Sequence, residues 1–295
     1  MTQRIVVVGD VVLDVVVRPL GDVAPTSDTP ARVRVGRGGS GANLAVALRA
    51  AVGNRFHVSF AGVGGDDAAA RIVREDLEAA GVRTHLGMMP GATGVVVSLV
   101  APSGERAMMT ERGVNSHLLF GHVASLLDDS LAHLHVSGYV ALDERTRSLV
   151  PRLIRAATDV GATSSVDVCS VEPLRHAGTE AFREAVAEST MLFANEEEAL
   201  LLSGASDVDG AVASLARQWT EVVVTRGPRG AAASRGGESV TASARGGDVV
   251  DTTGAGDSAT GTYLAHRLSG ADLATSLGHA MEAAARVVRA LGSRG

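Results

Sequence analysis

The chain has 295 residues, 45% hydrophobic, 20% charged and only 3% aromatic, so it can bury a sizeable core, and that core must be aliphatic. All 27 basic residues are Arg, and the absence of Lys excludes a Schiff-base lysine and the Lys-dependent phosphate-binding loop. The net charge of −6 counts against a nucleic-acid surface, and the single Cys169 excludes an intrachain disulfide.

The opening MTQRIVVVGD holds too short an apolar run for a signal segment or a membrane span. The expectation is a soluble, cytoplasmic protein that binds neither nucleic acid nor membrane. The run 5–8 is continuously apolar, as a strand buried on both faces of a parallel sheet requires. Residues 11–17 read as a strand interrupted by Asp14, and 32–35 alternate as a half-exposed strand. An Ala-rich helix is expected over 41–52, a strand over 56–61 and an amphipathic helix over 67–80, stopped by Gly81. Strands over 93–100 and 105–110 flank the turn Ala101-Pro102-Ser103-Gly104.

Beyond Ser116 the pattern alternates. Strands are expected at 133–137, 163–168, 191–194, 222–225 and 249–251, and helices at 144–160, 179–188, 196–203, 208–217, 256–268 and 273–290. This predicts one α/β domain over 1–295, with a mostly parallel central sheet covered by helices on both faces. Segments 11–37 and 93–112 form a small β-sheet inserted in it. Ligands belong at the carboxyl ends of the parallel strands.

The segment DTTGAGDS at 251–258 carries the strongest chemical signal. Gly254 and Gly256 around Ala255, at the start of a helix, let backbone N–H groups converge into an anion hole. Asp257 sits where negative charge develops, placed to accept a proton. The competing reading is a helix-capping Asp. Two further glycine patterns fit dinucleotide fingerprints, GRGGSG at 36–41 and GAGDSA at 254–259. The first lacks an acid at the end of a following strand and the second lacks a βαβ unit, so neither reads as one.

Taken with the rest of the chain, DTTGAGDS resembles the C-terminal signature of the ribokinase-like sugar kinases, the phosphofructokinase-B type family. GGSGANLA at 38–45 resembles the family's sugar-side element, with Gly38, Gly39 and Asn43. GVGGDD at 62–67 resembles its G.VG.D turn, and Gly9 through Asp14 its opening strand, where Asp14 contacts sugar hydroxyls. NEEE at 195–198 matches its N..E motif, and TRGPRG at 225–230 its nucleotide loop, with Thr225, Gly227 and Gly230. Without that context these segments read as a turn, an exposed strand residue, a helix cap and a hairpin.

The resemblance implies a ribokinase-like fold in which the small sheet is a lid over the sugar and the interface of a homodimer. It implies in-line phosphoryl transfer from ATP to a small-sugar hydroxyl, with Asp257 as general base. The N–H groups of Gly254, Ala255, Gly256 and Asp257 form the anion hole. Mg2+ is held through water by Asn195 and Glu198, and a monovalent cation such as K+ sits beside Asp251 and Thr253. A nucleoside kinase of the same fold is the alternative, which the aromatic-free small sheet disfavours; a non-catalytic sugar sensor is a third reading. At 167–171 Cys169 and Val171 stand where relatives acting on fructose or keto-deoxy sugar acids carry Asn and Arg, which disfavours those substrates. Met281 aligns with the family's adenine-facing Asn.

Overall fold

A computed structural model describes residues 3–101, 106–245 and 252–289. The chain opens with β1 (Gln3–Val8), β2 (Val12–Pro19) and β3 (Ala31–Gly38), then α1 (Ser40–Val52), β4 (Phe56–Gly65), α2 (Ala68–Ala79) and β5 (Arg83–Met89). β6 (Thr93–Val100) and β7 (Arg106–Gly113) follow, and then β8 (Leu131–Ser137) with the short helices α3 (Gly138–Leu142) and α4 (Glu144–Arg147). After α5 (Leu149–Asp159) come β9 (Thr163–Asp167), α6 (Val171–Ala177), α7 (Thr179–Val186), β10 (Met191–Asn195), α8 (Glu196–Ser203) and α9 (Val208–Leu215). β11 (Glu221–Thr225), β12 (Ala231–Arg235) and β13 (Glu238–Ala242) precede α10 (Ala255–Leu268) and α11 (Leu273–Val288).

Nine strands form the large sheet in the order β13-β12-β11-β10-β9-β8-β1-β4-β5. From β11 to β5 every pairing is parallel; β12 and β13 close that edge as an antiparallel hairpin. Ile5, Val6, Val7 and Val8 are all fully buried because β1 lies near the middle with a core on each face. Val6 and Val8 pack with α5, α7, α8 and α9, while Ile5 and Val7 pack with α1, α10 and α11. The chain is therefore α/β with helices on both faces.

The small sheet is separate, with order β3-β2-β6-β7 and a parallel β2–β6 pair at its centre. It joins the segments expected to pair from the sequence. Three strands of the large sheet, β5, β12 and β13, were not among the strands expected from the sequence. β5 is an outer strand with mixed burial, and β13 is mostly exposed, so neither carries an apolar pattern. The helix expected over 144–160 is two helices, α4 and α5, meeting at Ser148. Pro151 lies in the first turn of α5, where its missing N–H leaves no intrahelical bond unmade. The turn expected at 101–104, beyond Ala101, and the strand at 249–251 lie outside the described residues.

Candidate active site

The carboxyl ends of the parallel strands and one face of the small sheet enclose a cleft of about 1260 Å³. Its lining brings together Asp14, Gly39, Asn43, Asn195, Glu198, Thr225, Thr253, Gly254, Gly256 and Asp257, residues spread over the whole sequence. Gly38 lies behind them: a Cβ there would overlap the Asp14 carboxylate, so only glycine lets β2 and β3 pack with Asp14 in place. Ala255, Gly227 and Gly230 do not line the cleft; the latter two shape the β11–β12 turn. Asp251 lies outside the described residues.

Asp257 sits in the first turn of α10, whose N-cap Gly254 takes φ 75° and contributes no side-chain cap. The first N–H groups of a helix have no intrahelical acceptor, so this end presents donors and positive potential. Ala255 N–H turns to Thr252 O at 3.3 Å, which shifts the weight of an anion hole onto Gly256 and Asp257. The Asp257 carboxylate is clamped from the start of α1. Ser40 Oγ donates to Oδ1 at 2.7 Å, and Asn43 Nδ2 donates to Oδ2 at 3.0 Å. An Asp that only capped its own helix would spend its oxygens on the N–H groups of that helix; here both are bonded across the fold.

Asn195 and Glu198 form a reciprocal capping box on α8. Glu198 N–H donates to Asn195 Oδ1 at 2.9 Å, and Asn195 N–H donates to Glu198 Oε2 at 2.8 Å. The capping role and a place in the cleft coexist, because α8 begins at the cleft floor. Beside them Asp167, at the end of β9, accepts from Thr260 Oγ1 and from Cys169 N–H, both at 3.1 Å. Cys169 is the one non-glycine residue with positive φ (76°) among the described residues, and its thiol lies 3.6 Å from Ser40 Oγ.

This concentration of acids shifts their ionisation. Burial pushes the Asp14 carboxyl up to about 6; the Asp257 charge adds to the push, and Arg37 and Arg34 oppose it. Burial likewise raises Asp167 and Glu198, with Asp257 adding to the first and Asp167 to the second. Asp257 is raised by burial, and the bonds from Ser40 and Asn43 and the Arg37 charge pull it back. No cluster of three ligating side chains among the described residues forms a ready metal cage. Buried acids that raise one another's pKa fit a Mg2+ that brings its own waters and phosphate ligands, because the cation relieves the repulsion.

A carboxyl with a raised folded-state pKa binds its proton more tightly folded than unfolded. Its stabilisation is complete below the ordinary carboxylate range and is lost as pH rises through the folded value. Asp167→Asn removes one such group and keeps an acceptor for Cys169 N–H. Its melting temperature is expected to exceed that of the parent protein at about pH 8 and to converge with it by about pH 4. A difference that stays constant across the titration would discard this account.

Arg112 on β7 forks onto Asp10, with Nε and Nη2 donating at 2.8 and 2.7 Å, and also bonds Asp143. It ties the small sheet to the rim of the large one, so it is not the solvent-facing strand residue that local sequence suggests. Arg229 of the β11–β12 turn bonds Glu196 of α8, while Arg226 Nε is buried with no hydrogen-bond partner among the described residues. Met281 of α11 is 5% exposed, packs in the core and does not line the cleft.

The pfkB family carbohydrate kinase profile matches residues 2–295. The chain belongs to the pfkB family of carbohydrate kinases. A pfkB relative from Halopiger xanaduensis, named ATP-dependent ribose-1-phosphate kinase, is 32% identical over 200 residues, covering 66% of this chain and 62% of its own length. The adenosine kinase structure from Sinorhizobium meliloti matches at 25% identity with TM-score 0.88, covering 100% of this chain and 96% of that one. A putative ribokinase II from Escherichia coli, in complex with ATP and Mg2+, shares the fold at TM-score 0.86 and 22% identity, covering 99% of this chain and 94% of its own. No helix among the described residues is long and apolar enough to cross a membrane.

Proposed function

We propose that the protein transfers the terminal phosphoryl group of ATP to a hydroxyl of a ribose-type sugar or its phosphate. The observation that carries this reading is the place of Asp257: at a helix N-terminus that can take a phosphoryl group, and bonded to the Ser40 and Asn43 side chains in the cleft that Asp14 also lines. Family membership and the ribose-1-phosphate kinase relative support the same class.

In this reading Asp14, Gly39 and Asn43 orient the sugar. Asp257 takes the hydroxyl proton as the oxygen attacks phosphorus in line. The N–H groups of Gly256 and Asp257, set by Gly254 and Ala255, stabilise charge on the transferred group. Thr225, with the turn shaped by Gly227 and Gly230, borders the nucleotide, and Arg226 and Arg229 are the cations nearest to it in sequence. Asn195 and Glu198 would hold Mg2+ through water, and the ion would neutralise phosphate charge. Thr253 and Asp251 would hold a monovalent cation that would add to that charge balance. A cytoplasmic location is part of this reading, since ATP is supplied there.

A nucleoside is the second reading, favoured by the likeness to the adenosine kinase structure. The cleft offers Tyr139 and Phe193 as its aromatic side chains, and the small-sheet strands offer none, which favours a sugar over a stacked base. The deciding experiment is ATP turnover against ribose, ribose phosphates and nucleosides. Turnover of nucleosides alone rejects the sugar reading, and saturable binding without phosphorylation rejects the enzyme.

The small sheet is also proposed to serve as lid and as the interface of a homodimer. Val33, Val35 and Met109 share its face away from Asp14 and are 59%, 47% and 54% exposed. Light scattering at micromolar concentration is expected to give twice the 30.0 kDa chain mass. A monomer that Val35→Glu leaves unaltered in mass removes this part of the proposal.

A further inference from the structure

Arg37 ends the run of β3 just before the glycine pair, and only 6% of it is exposed. Its backbone N–H donates to Asp76 Oδ2 at 3.2 Å, which pins this stretch of strand against α2. Its guanidinium Nη1 donates to Asn43 Oδ1. Asn43, 9% exposed, lies in the first turn of α1, and its Nδ2 is the donor that holds Asp257 Oδ2.

A carboxamide has nearly the same shape either way round, so its orientation is set by what faces each end. A guanidinium carries donors and no acceptor, and an ionised carboxylate carries acceptors and no donor. Between the two, Asn43 fits one way only: carbonyl to Arg37, NH2 to Asp257. The reversed amide would place NH2 against guanidinium and carbonyl against carboxylate, two repulsive contacts in a closed space.

We infer that Arg37 is a positioning residue that locks the Asn43 amide with its NH2 toward Asp257. The inference rests on the proposed function for its catalytic consequence, but its geometry stands without it. Arg37 touches neither the proposed sugar nor the phosphate; it acts through Asn43. Its charge also reaches Asp257 and Asp14, where it favours the ionised carboxylates. A neutral side chain at position 37 would leave the Asn43 carbonyl without a charged donor and free the amide to turn.

The chain has four Asn residues, at 43, 54, 115 and 195, so selective 15N-Asn labelling gives four side-chain amide pairs. The Asn43 pair is the one lost in Asn43→Ser. In the unliganded parent protein and in Arg37→Lys, which keeps a donor-only cation, one Asn43 proton is expected downfield and protected from solvent exchange. In Arg37→Met that shift and protection are expected to vanish while the melting transition persists. Protection that survives in Arg37→Met overturns the inference.

Kinetics give the second reading on whichever substrate the panel identifies. Arg37→Met is expected to lower kcat/KM about tenfold, the worth of one charge-assisted hydrogen bond, and Arg37→Lys to recover most of it. In an Asn43→Ser background Arg37→Met is expected to cost clearly less than in the parent protein, because the residue it positions is gone and only its charge at Asp257 and Asp14 is then lost. Losses that add in full overturn the inference. If the parent protein phosphorylates no member of the panel, the proposed function falls and the amide protons still decide the role of Arg37.

Discussion

Asp257→Asn is expected to reduce turnover about 10³-fold while the protein stays folded, the range for loss of a positioned base. The exchange is close to isosteric. Ser40 Oγ, now a donor at 2.7 Å, can accept from an amide instead, and Asn43 keeps a carbonyl to bond, so the clamp survives in altered form. What is lost is the capacity to take a proton. Removing this charge also relieves Asp14 and Asp167, both pushed up in part by Asp257, so the variant is expected to melt at or above the parent near neutral pH. Low activity with retained melting separates chemistry from folding. Turnover within about tenfold of the parent protein would show that another group accepts the proton.

Gly38→Ala is expected to cost about 10- to 100-fold in kcat/KM for the sugar, an effect out of proportion to one methyl group. The new Cβ lands on the Asp14 carboxylate, and the strand pairing of Asp14 with Gly36 and of Val12 with Gly38 leaves the backbone little room to yield. The carboxylate must swing out of the position from which it would bond a sugar hydroxyl. The loss should fall on sugar KM more than on ATP KM, since the proposed nucleotide-side residue, Thr225, lies on β11 of the large sheet. Gly278→Ala is the matched control: its Cβ meets nothing within 4 Å, and it sits in α11 away from the cleft. Equal effects of the two substitutions would sever the link between Gly38 and Asp14.

The large sheet was legible where burial on both faces forces uniformly apolar strands, as in Ile5 to Val8 and Val222 to Val224. It was illegible at β5 and β13, where one side faces solvent and composition no longer reports pairing. The site divides in the same way. Gly38, Gly254 and Asp257 act through backbone shape and local sequence, so a linear motif carries them. Arg112 and Arg37 act through charges met across the fold: Arg112 joins Asp10 and Asp143, and Arg37 joins the Asn43 that faces Asp257. Such a pairing depends on the packing of strands distant in sequence, which no spacing rule encodes. Asn195 shows the converse. Its spacing to Glu198 is read equally well as a cap or as a ligand pair, and the structure shows the cap in place at the wall of the cleft.

The centre of the small sheet, where Val12 lies beside Gly94 in parallel, has a consequence for synthesis of the chain. β2 and β3 leave the ribosome early, yet their neighbour β6 follows only after α1, β4, α2 and β5. Until then one long side of β2 has no pairing partner, a period in which a nascent hairpin is open to wrong association. Asp257 comes later still, in the last fifth of the sequence. A chain terminated between Asn43 and Asp257 therefore holds one side of the proposed site without its proposed base.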